Sequence, residues 1–210
     1  MSSGPRAGSF QGLDHSFLSF VLIAGRRRDG PRSGPAGAAR SRCSRSCSAP
    51  CSLDGCHEGP RGELDWGLHD EEFFDWNLRQ TREVGALLPG RRTHEHFAEA
   101  WPSPETAERL PEATAFMNAV PRTVVTGSGR VTPWEGTRVT DGSDLAADMA
   151  RLRAATGGDI AVFGSSSLTV TLLEQGLMDE LRILLHPVVL GGGRSLFAGL
   201  KDRLDLAAGR

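Results

Sequence analysis

Three short stretches of this chain place small, basic or hydroxyl-bearing residues where a strand ends, and such stretches bind phosphate groups. In the first, an apolar run at 159–163 ends at Gly164, Ser165, Ser166 and Ser167, and an amphipathic helical segment follows. Free backbone amides and the helix dipole point at whatever lies before a helix N-terminus, and small side chains let a phosphate approach. This stretch predicts an anion site, although an ordinary turn between strand and helix has the same pattern.

The second stretch is Gly90-Arg91-Arg92-Thr93, which follows an apolar segment at 83–89. Guanidinium groups bind phosphate in a bidentate fashion, so two adjacent arginines at a helix start suit a phosphate monoester or a pyrophosphate. Thr93 is the predicted N-cap of the helix. Taken alone, a solvated basic turn explains this stretch equally well.

The third stretch is a predicted strand at 122–127 whose end carries the hydroxyl groups of Thr126 and Ser128. A Rossmann-type dehydrogenase lacks support, because no Gly-x-Gly-x-x-Gly follows a strand with an acid about 20 residues further on.

The cysteines have neither zinc nor iron–sulfur spacing, so we expect free thiols and no metal. They are Cys43, Cys47, Cys51 and Cys56.

Strands and helices alternate along the chain, which predicts a three-layer α/β fold with a mostly parallel central sheet. Strands are predicted at 83–89, 122–127, 137–140, 159–163 and 180–187, and helices at 70–82, 93–100, 105–118, 144–155 and after residue 167.

Composition is that of an ordinary enzyme domain. Of the 210 residues, 39% are hydrophobic and 24% charged, and the net charge is −2. The excess of acidic residues falls on residues 51–210. An acidic domain binds polyanions poorly, so a nucleic acid is not an expected partner. The apolar run at 17–24 is too short to span a bilayer and precedes Arg26-Arg27-Arg28, so no membrane association is expected and a bacterial, cytoplasmic protein is predicted.

Residues 1–50 differ from the rest, because they are rich in Gly, Ser, Pro and Arg without sustained periodicity. This composition is typical of a disordered tail or of a mistranslated segment. The domain is therefore expected to span residues 51–210.

Together, in this order and spacing, the three stretches resemble the dihydrofolate reductase superfamily, in the branch of the reductase domain of the riboflavin-biosynthesis deaminase/reductase. The likeness covers about residues 51–206, and 52–55 with 62–66 resemble the branch's opening loop. Residues 186–191 with 195–197 resemble its late strand and loop.

The resemblance also exposes two departures. The family's first strand would lie just before Ser52, where residues 39–50 would bring Arg, Ser and Pro into a buried sheet. We therefore expect that strand to be lost or altered. The chain stops at 204–210, where the family continues into a final hairpin, so a truncated C-terminus is expected as well.

The resemblance implies NADPH as the cofactor. Residues 164–167 would cradle its pyrophosphate, with Arg92 and Thr93 on the other side. Arg91, Thr126 and Ser128 would face the adenosine end, and several arginines near a monoester favour NADPH over NADH.

For catalysis the sequence offers four weak candidates: Asp54, Trp66, Asp70 and His186. Asp54 and Trp66 lie in the loop that would close over the nicotinamide, and His186 lies at a strand end. Asp70 is one of several acids at a helix start, with Glu71, Glu72 and Asp75, and spacing singles out none of them. Trp66 also fits a packing role, His186 is more often structural at such a position, and Asp70 also fits the role of a solvated acid at a helix start.

The predicted activity is hydride transfer to a small heterocycle, such as a 5-amino-6-(5-phosphoribosylamino)uracil-like molecule, or to a carbonyl. Dihydrofolate reduction is one alternative. A catalytically inactive nucleotide-binding scaffold is another, because the first strand is expected to be lost. A small-molecule substrate and a homodimer are compatible with either.

Overall fold

The computed structural model describes residues 20–26, 45–68, 70–156 and 158–208, with the backbone alone for 20–26, Cys47 and Ala208. No helix in this part of the chain is both long and apolar enough to cross a membrane.

The described residues form ten strands and six helices. The strands are β1 (Phe20–Arg26), β2 (Arg45–Ser52), β3 (Cys56–Glu58), β4 (Val84–Leu87), β5 (Arg122–Val125), β6 (Thr137–Thr140), β7 (Asp159–Phe163), β8 (Glu180–His186), β9 (Arg194–Ser195) and β10 (Leu206–Ala208). The helices are α1 (Glu71–Thr81), α2 (Arg91–Ala100), α3 (Pro104–Arg109), α4 (Pro111–Ala119), α5 (Leu145–Thr156) and α6 (Ser166–Glu174).

An eight-stranded sheet in the order β10-β1-β8-β2-β7-β4-β5-β6 forms the centre of the fold. The strands from β8 to β6 in that order are all parallel. β1 lies antiparallel between β8 and β10, and β3 pairs with β9 in a separate small sheet. The prediction of an α/β fold with a mostly parallel sheet is confirmed.

Two apolar clusters cover the two faces of the sheet, as the period of two along a strand requires. Ile160 and Val162 of β7 belong to the larger cluster, with buried side chains of α5 and α6. Ala161 between them belongs to the smaller cluster, which includes Met117 of α4. The sheet is thus packed on both sides, and its strand ends are the places where a ligand can approach.

The expectation that no strand precedes Ser52 is wrong. β2 lies inside the sheet and pairs with β7 on one side and with β8 on the other. Arg45, whose charge argued against a buried strand, lies at the start of β2. Its guanidinium forms a bidentate ion pair with Asp179 at 2.7 and 2.8 Å. Buried positions within the strand hold small residues, such as Ser46 and Ala49, which a covered strand accommodates.

Residues 1–19 and 27–44 lie outside the described residues, so disorder there stays a prediction. At the other end of the chain, β10 pairs with β1, and the antiparallel edge is built from both ends of the sequence. A short C-terminal strand is therefore present, and the truncation expected beyond it stays a prediction.

Two local predictions also need correction. Gly90, not Thr93, is the N-cap of α2, so Thr93 lies inside the first helical turn. The helix predicted at 105–118 is broken at Leu110, whose backbone (φ −135°, ψ 61°) is not helical; Pro111 follows it and starts α4. A residue before proline is disfavoured in the helical region, which explains the break.

Candidate functional site

The three phosphate-binding stretches meet because β7, β4 and β5 are neighbours in the sheet. Since these strands are parallel, their carboxyl ends lie along one edge, where open α/β sheets bind ligands. Gly164 follows β7, and its amide donates to the carbonyl of Ser48 on β2 at 2.9 Å. Gly90 follows β4 and forms a bridge with Val125, the last residue of β5.

Ser165 joins two of these stretches directly. Its hydroxyl accepts a hydrogen bond from the backbone amide of Gly90 at 3.0 Å and donates one to Thr93 Oγ1 at 2.8 Å. Its backbone is left-handed, with φ at 54°, a conformation that costs a non-glycine residue roughly 1–2 kcal/mol. The strained turn therefore serves to hold the two stretches together.

A cleft of about 870 Å³ opens beside this junction. We define the head of the cleft by four of its lining residues, which lie where the two turns meet: Arg92, Thr93, Gly164 and His57. Gly164 has φ at 64°, and a Cβ there would lie 3.8 Å from Thr93 Oγ1 and 3.9 Å from His57 Cε1. Glycine thus keeps open the gap between these two side chains.

The arginines of the second stretch have different roles. Arg91 forms an ion pair with Glu95, one turn along α2, in which its Nη1 donates to both carboxylate oxygens at 2.7 and 2.8 Å. Arg92 lines the cleft and contacts Glu58 at 3.4 Å, a longer contact than that between Arg91 and Glu95. Arg92 is therefore the arginine available to an anion at the head of the cleft.

Arg194 on β9 is a basic residue that sequence analysis missed. Its guanidinium donates to Ser167 Oγ at 2.5 Å, in the first turn of α6. The first amides of that helix, which include those of Ser166 and Ser167, have no intrahelical partner. A cation beside these amides strengthens the site for an anion, and no local sequence pattern marked it.

The third stretch lies one strand further along the edge and outside the cleft lining. Thr126 Oγ1 and Ser128 Oγ are 3.0 Å apart, and the Ser128 amide donates to Thr126 Oγ1 at 3.2 Å. The Arg130 amide is 3.4 Å from Ser128 Oγ, so an exposed arginine belongs to the same small loop. Two hydroxyl groups and a guanidinium suit a phosphate monoester, and sequence analysis did not include Arg130.

His57 is the other side chain at the head of the cleft that sequence analysis missed. It is buried, and its Nδ1 lies 3.4 Å from the carbonyl oxygen of Pro50. Burial lowers the pKa of His57, and the charges of Arg194 and Arg92 lower it further, against the opposing effects of the hydrogen bond to the Pro50 carbonyl and of the charge on Glu58. A neutral imidazole at the head of the cleft is the consequence.

Trp66 and His186 lie together at the inner side of the loop that precedes α1. Trp66 lines the cleft, and its ring packs edge-on against His186 with centroids 5.5 Å apart. His186 is buried, and its Nδ1 accepts a hydrogen bond from the Leu68 amide at 3.1 Å. His186 thus fixes the loop that carries Trp66 and does not itself line the cleft.

Asp54 and Asp70 are engaged in local structure. Asp54 accepts hydrogen bonds from Ser52 Oγ at 2.6 Å and from the amides of Leu190 and Gly191, and these bonds lower its pKa. Asp70 caps α1 by accepting from the Phe73 amide at 2.9 Å. Among the acids that start this helix, Asp75 is the one that lines the cleft.

No group of three or more His, Cys, Asp or Glu side chains suited to a metal ion occurs in the part of the chain that the structure describes. Cys51 and Cys56 are buried free thiols, and burial raises the pKa of Cys51. The site is thus built from backbone amides, hydroxyl groups and arginines.

The solved structures that resemble this chain share its fold. A putative riboflavin biosynthesis protein from Shewanella sp. PV-4 matches with a TM-score of 0.60 at 22% identity, over 77% of this chain and 87% of that one. A diaminohydroxyphosphoribosylaminopyrimidine deaminase/5-amino-6-(5-phosphoribosylamino)uracil reductase from Thermotoga maritima matches with a TM-score of 0.56 at 17% identity, over 78% of this chain and 50% of that one.

Sequence comparison adds a family. The uncharacterized protein YyaP of Bacillus subtilis (strain 168) is 29% identical over 157 residues, which are 74% of this chain and 80% of that protein. The family model of the RibD C-terminal domain matches residues 46–208, a span that includes most of β2 and every part of the site. The chain therefore belongs to the family of RibD C-terminal domains, reductases of the dihydrofolate reductase-like superfamily.

Proposed function

We propose that this chain is an NADPH-dependent reductase that transfers hydride to a small heterocycle or a carbonyl compound. The observation that carries the proposal is the Ser165 hydroxyl between the Gly90 amide and Thr93 Oγ1, because it joins two anion-binding turns at the head of one cleft. A dinucleotide needs such an arrangement, since its pyrophosphate and its reactive ring must both be held.

The residues present fit the cofactor. Gly164 leaves a gap where a side chain would intrude, and the first amides of α6 with Arg194 and Arg92 supply donors for a pyrophosphate. Thr126, Ser128 and Arg130 supply donors for the 2′-phosphate of the adenosine end. When bound, the reduced nicotinamide supplies the hydride.

On the substrate side, Trp66 and Asp75 also line the cleft. Trp66 would close the loop over the reacting ring and exclude water, and His186 would hold that loop through the Leu68 amide. Asp75 can accept two N–H groups from an amino-substituted pyrimidine or pterin ring. Dihydrofolate reduction stays the second candidate on the strength of this acid. The alternative of an inactive nucleotide-binding scaffold was based on the expected loss of the first strand, and that argument fails because β2 is present in the sheet.

Fluorescence titration with NADPH and NADH tests the cofactor assignment. We expect NADPH to bind at least about tenfold more tightly, or roughly 1.4 kcal/mol, because a 2′-phosphate gains charge-assisted hydrogen bonds. Arg92→Ala should weaken both cofactors. Arg91→Ala is the matched control, since the Arg91 guanidinium is already engaged by Glu95. Equal affinities of the native protein for the two cofactors would sink the assignment.

A further inference from the structure

The head of the cleft has a hydroxyl group whose hydrogen-bond direction is fixed by its neighbours. The backbone amide of Gly90 can only donate, so Ser165 Oγ accepts from it at 3.0 Å. The hydrogen of the Ser165 hydroxyl is therefore donated to Thr93 Oγ1 at 2.8 Å. The hydrogen of the Thr93 hydroxyl is left for a further acceptor, and Thr93 lines the cleft. Thr93 thus offers a donor to an anion at the head.

The ring of His57 lies beside the same gap. Its Nδ1 is 3.4 Å from the carbonyl oxygen of Pro50, which can only accept, so the neutral ring carries its hydrogen on Nδ1. Its Cε1, the carbon between the two nitrogens, lies 3.9 Å from the position of a Cβ on Gly164, and Thr93 Oγ1 lies 3.8 Å from that position. Nε2 of the neutral ring presents a lone pair, which cannot donate to a phosphate oxygen. A proton added at Nε2 makes it a charged donor.

The charges around this ring change in effect when an anion binds. The charged side chains that act on it are Glu58 of the same strand, Arg92 of α2 and Arg194 of β9. The two arginines disfavour a positive imidazole, and Glu58 favours one. An anion at the head offsets the charges of the arginines and adds an opposite charge beside the ring. Both changes favour the imidazolium.

We infer that His57 is a cofactor-binding residue, which takes up one proton at Nε2 as the pyrophosphate enters the head of the cleft and donates a hydrogen bond to a phosphate oxygen. The inference rests on the proposed function, because it takes the anion to be that of the nicotinamide cofactor. The proton comes from the solvent, and no covalent bond of the cofactor changes. Since the imidazolium is lost at high pH, cofactor affinity should fall as the pH rises.

Isothermal titration calorimetry of the native protein with NADH tests the inference. NADH is the sharper probe, because the 2′-phosphate of NADPH itself titrates near pH 6. Titrations near pH 7 in three buffers of different ionisation enthalpy should give an uptake of roughly 0.5–1 proton per bound NADH. The affinity should fall about tenfold from about pH 6.5 to about pH 8.5. Binding of NADH without proton uptake would overturn the inference alone. A native protein that binds neither NADH nor NADPH would overturn the proposed function and the inference with it.

Variants assign the proton to one residue. His57→Asn should bind NADH about tenfold more weakly than the native protein at about pH 6.5 and equally well at about pH 8.5. His96→Asn is the matched control, because His96 is an exposed histidine that also lines the cleft. It should keep the native pH dependence. Loss of that dependence in the His96 variant, or its persistence in the His57 variant, would refute the assignment.

The hydroxyl of Thr93 gives a second comparison, because it does not titrate in this range. Thr93→Val keeps the shape of the side chain and removes the donor. It should weaken NADH about tenfold at every pH, so that its pH profile runs parallel to that of the native protein. A flat profile for this variant would contradict the assignment of the proton to His57.

Discussion

Replacing Ser165 by alanine removes the side chain that joins the two turns at the head of the cleft. Two hydrogen bonds are lost, from the Gly90 amide at 3.0 Å and to Thr93 Oγ1 at 2.8 Å. At about 1 kcal/mol for each, Ser165→Ala should lower the free energy of unfolding by about 2 kcal/mol. The left-handed backbone at φ 54° remains, because alanine tolerates it no better than serine.

Glycine at the same position separates the two contributions. Ser165→Gly loses the same hydrogen bonds but relieves backbone strain of roughly 1–2 kcal/mol. Greater freedom of the unfolded chain offsets about 0.4–1 kcal/mol of that relief. The glycine variant should therefore be less stable than the native protein by about 1 kcal/mol and more stable than the alanine variant.

Urea denaturation with linear extrapolation measures both differences. Ser167→Ala is the matched control, because Ser167 is exposed in the same turn and its hydroxyl accepts one hydrogen bond, from Arg194. Its effect should stay within about 0.5 kcal/mol. An alanine variant as stable as the native protein would refute the role of the Ser165 hydroxyl. A glycine variant less stable than the alanine variant would refute the strain argument.

Three further substitutions probe the site and its support. Arg122 is buried against the ring of Trp134 and donates to three nearby carbonyls within 3.0 Å, and burial lowers its pKa to about 10. Arg122→Met should lower the free energy of unfolding by about 3 kcal/mol in urea denaturation. The exposed Arg138→Ala is the control and should change that free energy little. Burial holds the pKa of His57 below its ordinary 6.5, so the unfolded chain binds the extra proton and stability falls as pH drops through that value; His57→Gln should flatten this slope, and an unchanged slope would contradict the argument. Arg130→Ala should reduce the preference for NADPH over NADH about tenfold in a fluorescence titration, whereas Arg91→Ala should not, and the reverse result would move the 2′-phosphate site.

The sequence predicted the parallel sheet and the turns at its edge because both depend on local patterns. An apolar run that ends at small residues and is followed by a helical period requires a strand, a turn and a helix in that order. Gly164 and Thr93 could therefore be placed near a common site before the structure was known. The contact between Ser165 and Gly90 could not, since it depends on which strands become neighbours.

The residues that were missed are those whose role depends on a distant partner. Arg194 reaches the first turn of α6 from a two-residue strand, and His57 reaches the head of the cleft from β3. Neither has a flanking pattern that differs from a surface loop. Asp75 has a pattern that indicates the inner face of its helix, because Leu78, three residues on, lies on the same face. Glu71 has the same spacing to Phe74, so spacing alone could not choose between the two acids.

Strand β2 shows why composition misled at the centre of the sheet. A strand covered on both faces contributes its backbone as well as its side chains, because β7 and β8 would otherwise have unpaired amides and carbonyls in the interior. Large neighbours such as Ile160 and Leu181 already fill the layer, so small residues fit between them. The same strand supplies the Ser48 carbonyl to the Gly164 amide and the Pro50 carbonyl to His57. The segment that its composition excluded therefore positions Gly164 and His57, two of the four residues at the head of the cleft.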